Sequence, residues 1–183
     1  MITVISGMAR SGTSLTMQML NAAGFPIYWD REPNYGPANP KGYFEVIGRD
    51  WREHADVEGL LCKMEDKAVK VFPRNWDYFT DNHRYQFIYL DRDPVNIRDS
   101  QRRMLDLEQR VNEKGNPEEH LRGIIAYRRR SLRILQDYRH VIVPYEGLYT
   151  GTTQWAIADF LELTVAQRNV MWGCVDHELH HFK

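Results

Sequence analysis

Eight residues near the start of the chain, Gly7-Met8-Ala9-Arg10-Ser11-Gly12-Thr13-Ser14, have the composition of an anion cradle. Gly7 and Gly12 free the backbone to wrap a negative group. The hydroxyls of Ser11, Thr13 and Ser14 add donors, and a helix starting at Thr13 would aim its first N–H groups at the same point. The two glycines keep the spacing of G-x-x-x-x-G-K-[ST], but Thr13 stands in the lysine position. In a P-loop ATPase that lysine reaches the β- and γ-phosphates. Its loss argues against nucleotide hydrolysis, while Arg10 brings a cation from a different place in the loop. An ordinary strand–helix turn would not need Arg10, Ser11, Thr13 and Ser14 together.

A second group follows an apolar run, in Arg92-Asp93-Pro94-Val95-Asn96-Ile97-Arg98-Asp99-Ser100. An arginine at the carboxyl end of a parallel strand lies on the ligand-binding edge of the sheet, and a serine on the next helix can give the same phosphate a second donor. Taken alone, Arg92 could instead pair with Asp91, Asp93 or Asp99, and Asp91 could end a Walker-B-like strand near magnesium. Lys70 is a third signal. A lysine midway along the apolar run Ala68–Phe72 must find an anion or escape to water at a sheet edge.

The stretch GMARSGTSL resembles the 5′-phosphosulfate loop of the sulfotransferases, in the arginine-bearing form of tyrosyl-protein and many bacterial members. RDPVNIRDS resembles the 3′-phosphate motif of the same family. NPKGYFE at residues 39–45, VPYEGL, FLEL and, more loosely, VDHELHHF extend the likeness to small bacterial and phage-type members over nearly the whole chain. The resemblance implies the donor 3′-phosphoadenosine 5′-phosphosulfate (PAPS, with product PAP), no metal requirement, and a small-molecule or glycan acceptor offering a hydroxyl or amine. It places Arg10, Ser11, Gly12, Thr13 and Ser14 on the 5′ end of the donor and Arg92 with Ser100 on its 3′-phosphate. Lys70 resembles the strand lysine of the tyrosyl-protein members. The Arg-Lys-Gly loop of cytosolic members has no counterpart, nor does their adenine clamp, for which Trp51, Trp76 and Arg74 are replacements to consider.

Sulfuryl transfer needs charge stabilisation at the transferring group, for which Arg10, the residue 10–14 backbone and Lys70 are the candidates, and a base for the acceptor's proton. Glu45, at the end of a proline-rich loop, is the first candidate. Asp30 and Glu32 lie about where glutamate-base members carry theirs, and His54 is open by analogy with the histidine of cytosolic members. Two other readings stay open: a phosphotransferase or kinase with a degenerate loop and Asp91 on magnesium, and a nucleotide-binding module without turnover.

Positioning these groups calls for strands alternating with helices. Ile2–Ser6, Ala68–Phe72, Gln86–Leu90 and His140–Val143 read as buried strands. Helices are expected over Thr13–Ala23, Val95–Val111, Pro117–Tyr138, with Asn116 as N-cap, and Thr152–Leu163. Residues 29–42, rich in proline and glycine, read as an irregular loop. The expected fold is α/β, three-layer and P-loop NTPase-like, a central parallel sheet flanked by helices in one domain over residues 1–183.

With 24 Lys and Arg against 25 Asp and Glu, net charge −1, the chain has no whole-domain basic footprint for nucleic acid. Arg122, Arg128, Arg129, Arg130 and Arg133 must spread around their helix and read as a solvated face. Only Cys62 and Cys174 occur, too few for a disulfide framework and wrongly spaced for a zinc ribbon, so buried thiols in a reducing, cytoplasmic setting are expected. A strand starting at Ile2 leaves no room for a leader, and no run suits a bilayer, so no membrane partner is expected. His177-Glu178-Leu179-His180-His181 matches H-E-x-x-H formally, but a polar terminal tail satisfies that pattern by chance.

Overall fold

The computed structural model describes residues 1–29, 39, 41–46, 51 and 55–175. The sequence candidates Asp30, Glu32, His54 and 177–181 lie outside them, as does most of the 29–42 loop.

Five parallel strands form one sheet: β1 (Ile2–Gly7), β2 (Ile27–Tyr28), β3 (Ala68–Lys70), β4 (Tyr85–Asp91) and β5 (Arg139–Pro144), in the order β2-β3-β1-β4-β5. The central strand β1 is buried along its whole length, which is why its sequence is a continuous β-branched run rather than an alternation. Its register pairs Ile5 with Lys70 on one side and Gly7 with Leu90 on the other. The carboxyl ends of β1, β3 and β4 thus emerge side by side, where the strand order changes direction and open α/β sheets bind ligands.

Helices cover both faces. Alternate residues Ile5, Ile88 and Leu90 pack with Met17, Met19 and Leu20 of α1 (Thr13–Ala22), and this core continues into Leu148 of α5 (Gly147–Thr150), Ile157 of α6 (Thr152–Phe160) and Met171 of α7 (Val165–Gly173). The other parity, Val4, Val69, Phe87 and Tyr89, packs with Leu60, Leu61 and Met64 of α2 (Val57–Met64), and with Trp51, Trp76 and Leu135. Helices α3 (Pro94–Leu107) and α4 (Pro117–Ile134) pair beyond β4. No described helix is long and apolar enough to cross a membrane.

Several boundaries differ from expectation. Strand β2 is only two residues long, and α2 and α7 fall outside the expected elements. The closing helix ends at Phe160 rather than Leu163, because Glu162 takes a positive φ of 57° and Thr164 opens a capping box with Gln167 that starts α7. Helix α3 stops at Leu107 and the chain re-forms a short 3-10 turn over Val111–Glu113; α4 likewise ends at Ile134 with a 3-10 turn after it. Neither cysteine is a buried thiol: Cys62 is exposed and Cys174 half-buried. Both tryptophans considered for adenine are core residues instead, Trp76 lying edge-on to Phe87 at 4.9 Å between centroids.

Candidate active site

The loop after β1 is held in a conformation that its glycines permit. Gly7 has φ 150°, and a Cβ there would sit 2.4 Å from Ser11 Oγ and 2.5 Å from the Leu90 carbonyl; at Gly12, φ 94°, it would sit 2.5 Å from Leu148 Cδ1 and 3.1 Å from Tyr145 Cδ2. Between them Arg10 takes φ 76°, left-handed for a residue with a side chain. Three contacts from β4 and α3 hold the loop in place. Arg92 donates from a terminal guanidinium nitrogen to the Arg10 carbonyl at 2.6 Å. Gln101 Nε2 donates to the Ala9 carbonyl at 2.9 Å. Arg10 Nε donates to Ser100 Oγ at 3.1 Å. The two motifs separated by about eighty residues in sequence therefore meet.

Arg92 is 4% exposed, with its guanidinium carbon 3.9 Å from the centre of the Tyr145 ring. Burial lowers its pKa from the ordinary arginine value, an effect that the nearby Tyr145 and Glu146 oppose. Tyr145 in turn donates to Tyr149 at 3.4 Å, and burial, helped by that bond, pushes the Tyr149 phenol well up. Ser11 is fully buried, and its hydroxyl has no hydrogen-bond partner among the described residues. A buried polar atom left so is costly unless something else satisfies it.

Lys70 is not a solvated edge residue. It shares the face of Ala68, under α1, and is 6% exposed. Its Nζ donates to Ser14 Oγ at 3.2 Å, to the Tyr43 carbonyl at 3.0 Å and to Glu45 Oε1 at 3.1 Å. After β2 leaves the sheet edge, Glu45 takes the place beside β3, bridging Lys70 in parallel register. The Lys70–Glu45 pair is desolvated on both sides, with side chains 4% and 14% exposed. The expected carboxylate thus lies beside the expected lysine and within one residue of the loop's hydroxyls.

Asp91 is engaged elsewhere. Arg128 of α4 holds it in a bidentate pair at 2.6 and 2.5 Å, and that bond raises the Arg128 pKa. Arg128 thus leaves the solvated face that the arginine-rich helix was expected to present, while Arg130 pairs with Asp77 at the surface.

Arg10, Ser14, Glu45, Lys70, Arg92 and Ser100 all border one cavity of about 620 Å³, open to the carboxyl edge of the sheet. Its far wall was not visible in the sequence. His120, Ile124 and Tyr127 recur at helical spacing on one face of α4, opposite Met104 of α3. His120 Nδ1 is buried without a protein partner among the described residues. Burial first, then Arg102 and Arg98, hold this imidazole below its ordinary pKa, so it stays neutral at neutral pH. Only the pairing of α3 with α4 brings it to the cavity, and no local pattern signals that.

No family model and no curated protein matches the chain. Among solved structures it is similar to the crystal structure of retinol dehydratase in complex with androsterone and inactive cofactor PAP, with a TM-score of 0.54 and 18% sequence identity. The fold is sulfotransferase-like. The match covers 97% of this chain and 64% of that enzyme, so the chain spans a little under two thirds of its length. Within this fold the glycine loop, Lys70 and Arg92 all stand on the three adjacent strand ends that border the cavity.

Proposed function

We propose that the protein is a PAPS-dependent sulfotransferase acting on a hydroxyl or amine of a small-molecule or glycan acceptor. The observation that carries this reading is the meeting of Arg10 with Ser100, beside a buried Arg92, at one wall of the cavity. One anion grip comes from the loop and one from β4 and α3, side by side on the same cavity. The donor set fits: a cradle that a Cβ would fill at Gly7, a buried Ser11 hydroxyl with no partner among the described residues, and the guanidinium groups of Arg10 and Arg92 on the cavity wall. The neighbour bound to PAP supports the same choice of donor.

PAPS supplies an activated sulfuryl group whose leaving partner is adenosine 3′,5′-bisphosphate. The chain's own part is positioning and charge. Arg10, the N–H groups at the start of α1 and the hydroxyls of Thr13 and Ser14 hold the 5′ end. Arg92 and Ser100 hold the 3′-phosphate. Lys70, already bonded to Ser14, adds positive charge next to the transferring group, and Glu45 takes the acceptor's proton. The phosphotransferase reading is weaker, because both oxygens of its magnesium candidate Asp91 are occupied by Arg128.

The test is incubation with labelled donor and a panel of alcohols, amines and glycans, without magnesium. Transfer of label to one acceptor class is the expected result. Donor binding with no transfer to any of them would leave a binding module, and turnover only with ATP and magnesium would favour phosphoryl transfer.

Arg92→Ala is expected to weaken PAP roughly ten- to a hundredfold, the cost of about 1.5–3 kcal/mol for a charged hydrogen bond. Calorimetry should show adenosine 5′-monophosphate little affected. Equal losses for both ligands would mean that Arg92 acts only by holding the Arg10 carbonyl.

A further inference from the structure

At the opposite, amino-terminal edge of the sheet, away from the cavity, three side chains of different chemistry converge. Glu58 and Cys62 lie one turn apart on α2, and His83 precedes β4. One ligand atom from each, a carboxylate oxygen, the thiol sulfur and an imidazole nitrogen, lies within 4.8 Å of the other two. Tetrahedral zinc, with bonds of about 2.0–2.3 Å, wants its ligands roughly 3.3–3.8 Å apart, so closure takes side-chain shifts of about an ångström.

His83 sits between two carboxylates. Its side chain is 6% exposed, and its Nδ1 lies 2.6 Å from Glu65 Oε1 while its Nε2 lies 3.1 Å from Glu58 Oε1. Carboxylates only accept, so the ring nitrogen that carries a proton donates to the carboxylate it faces. A cation at Nε2 would leave an Nδ1–H bond to Glu65 in place. That is the carboxylate–histidine–metal arrangement that fixes tautomer and ring orientation. Glu65 is itself anchored by the amino group of Met1 at 2.7 Å, and Glu58 by Asn82 Nδ2 and Thr80 Oγ1, each at 3.1 Å. Every carboxylate around the imidazole is thus held by a further donor.

We propose that Glu58, Cys62 and His83 form a divalent transition-metal site, with zinc the cation its thiolate and imidazole select. Three protein ligands leave the fourth position to water. Binding displaces the thiol proton of Cys62, and any proton carried by His83 Nε2, to solvent and forms Zn–S and Zn–N bonds, with no change of oxidation state. The site clamps α2 to the turn before β4, so its role is structural and independent of sulfuryl transfer.

Titrating the full-length reduced protein with Co²⁺ alone tests this. One equivalent should bring up the near-ultraviolet thiolate-to-cobalt band, and Zn²⁺ should displace it. Cys62→Ser should abolish the band, and Glu65→Gln should weaken affinity about 10–100-fold without removing it. Cys174→Ser and the His180→Ala/His181→Ala pair should leave it unchanged. The exposed Cys62 tolerates serine without disturbing the core, and circular dichroism checks that the variant is folded. Absence of the band up to millimolar Co²⁺, its survival in Cys62→Ser, or its dependence on Cys174 or the tail histidines would overturn the site.

Discussion

Replacing Lys70 by methionine is expected to cost about 3–5 kcal/mol of stability, because the substitution removes the ion-pair partner of the Glu45 carboxylate in a place where water reaches it poorly. That is a large share of the 5–15 kcal/mol that typically holds a domain together. The Tyr43 carbonyl and the Ser14 hydroxyl lose the same donor. Urea unfolding of Lys70→Met measures the cost. The double variant Lys70→Met/Glu45→Leu should recover most of it, since a well-packed apolar pair can replace a buried ion pair without loss. A single-variant cost below about 1 kcal/mol, the range of exposed pairs, would mean that water screens the interaction.

Glu45→Gln should slow turnover by ~10²–10⁴, the usual contribution of a general base, while PAP still binds. The amide matches the carboxylate in size and can still accept from Lys70 through its oxygen, so a collapse of the loop would not explain the loss. Single-turnover assays with the identified acceptor separate the chemical step from release. Normal turnover in Glu45→Gln with a dead Asp30→Asn or Glu32→Gln would move the base to the earlier loop. Activity in all three variants would turn attention to His54 and to the neutral imidazole of His120 on the cavity wall.

How far the sequence disclosed this arrangement depended on whether its signals were local. Strands β1, β3 and β4 were legible because a parallel strand buried on both faces must be largely apolar; β5 was found by its Val-Ile-Val run, but as an edge strand it buries only Val143 rather than the whole run expected. The glycine loop was legible because φ angles of 150° and 94° leave little choice of residue. Strand β2 was not, since Ile27 and Tyr28 are too short a run to carry a period. Helix α2 does carry one, with Val57, Leu60, Leu61 and Met64 at i, i+3, i+4 and i+7 behind the N-cap Asp56, so that omission reflects no lack of signal.

In the site, Arg10, Lys70, Arg92 and Ser100 stood out by type and spacing, and the structure adds how they are joined. Pairings were the illegible part. That Asp91 belongs to Arg128, that Glu45 meets Lys70 across the edge of β3, and that His120 reaches the cavity all follow from contacts between segments distant in sequence. Trp51 and Trp76 misled for the same reason. An aromatic residue suits adenine or a core equally well, and here the face of the sheet decides for the core.

Isothermal calorimetry of the unmodified protein against PAP, adenosine 5′-monophosphate and ATP with magnesium tests the central claim most directly. PAP should bind without magnesium and roughly ten- to a hundredfold more tightly than the monophosphate, the margin of one charge-assisted phosphate contact. ATP with magnesium binding where PAP does not, or PAP and the monophosphate binding alike, would contradict it.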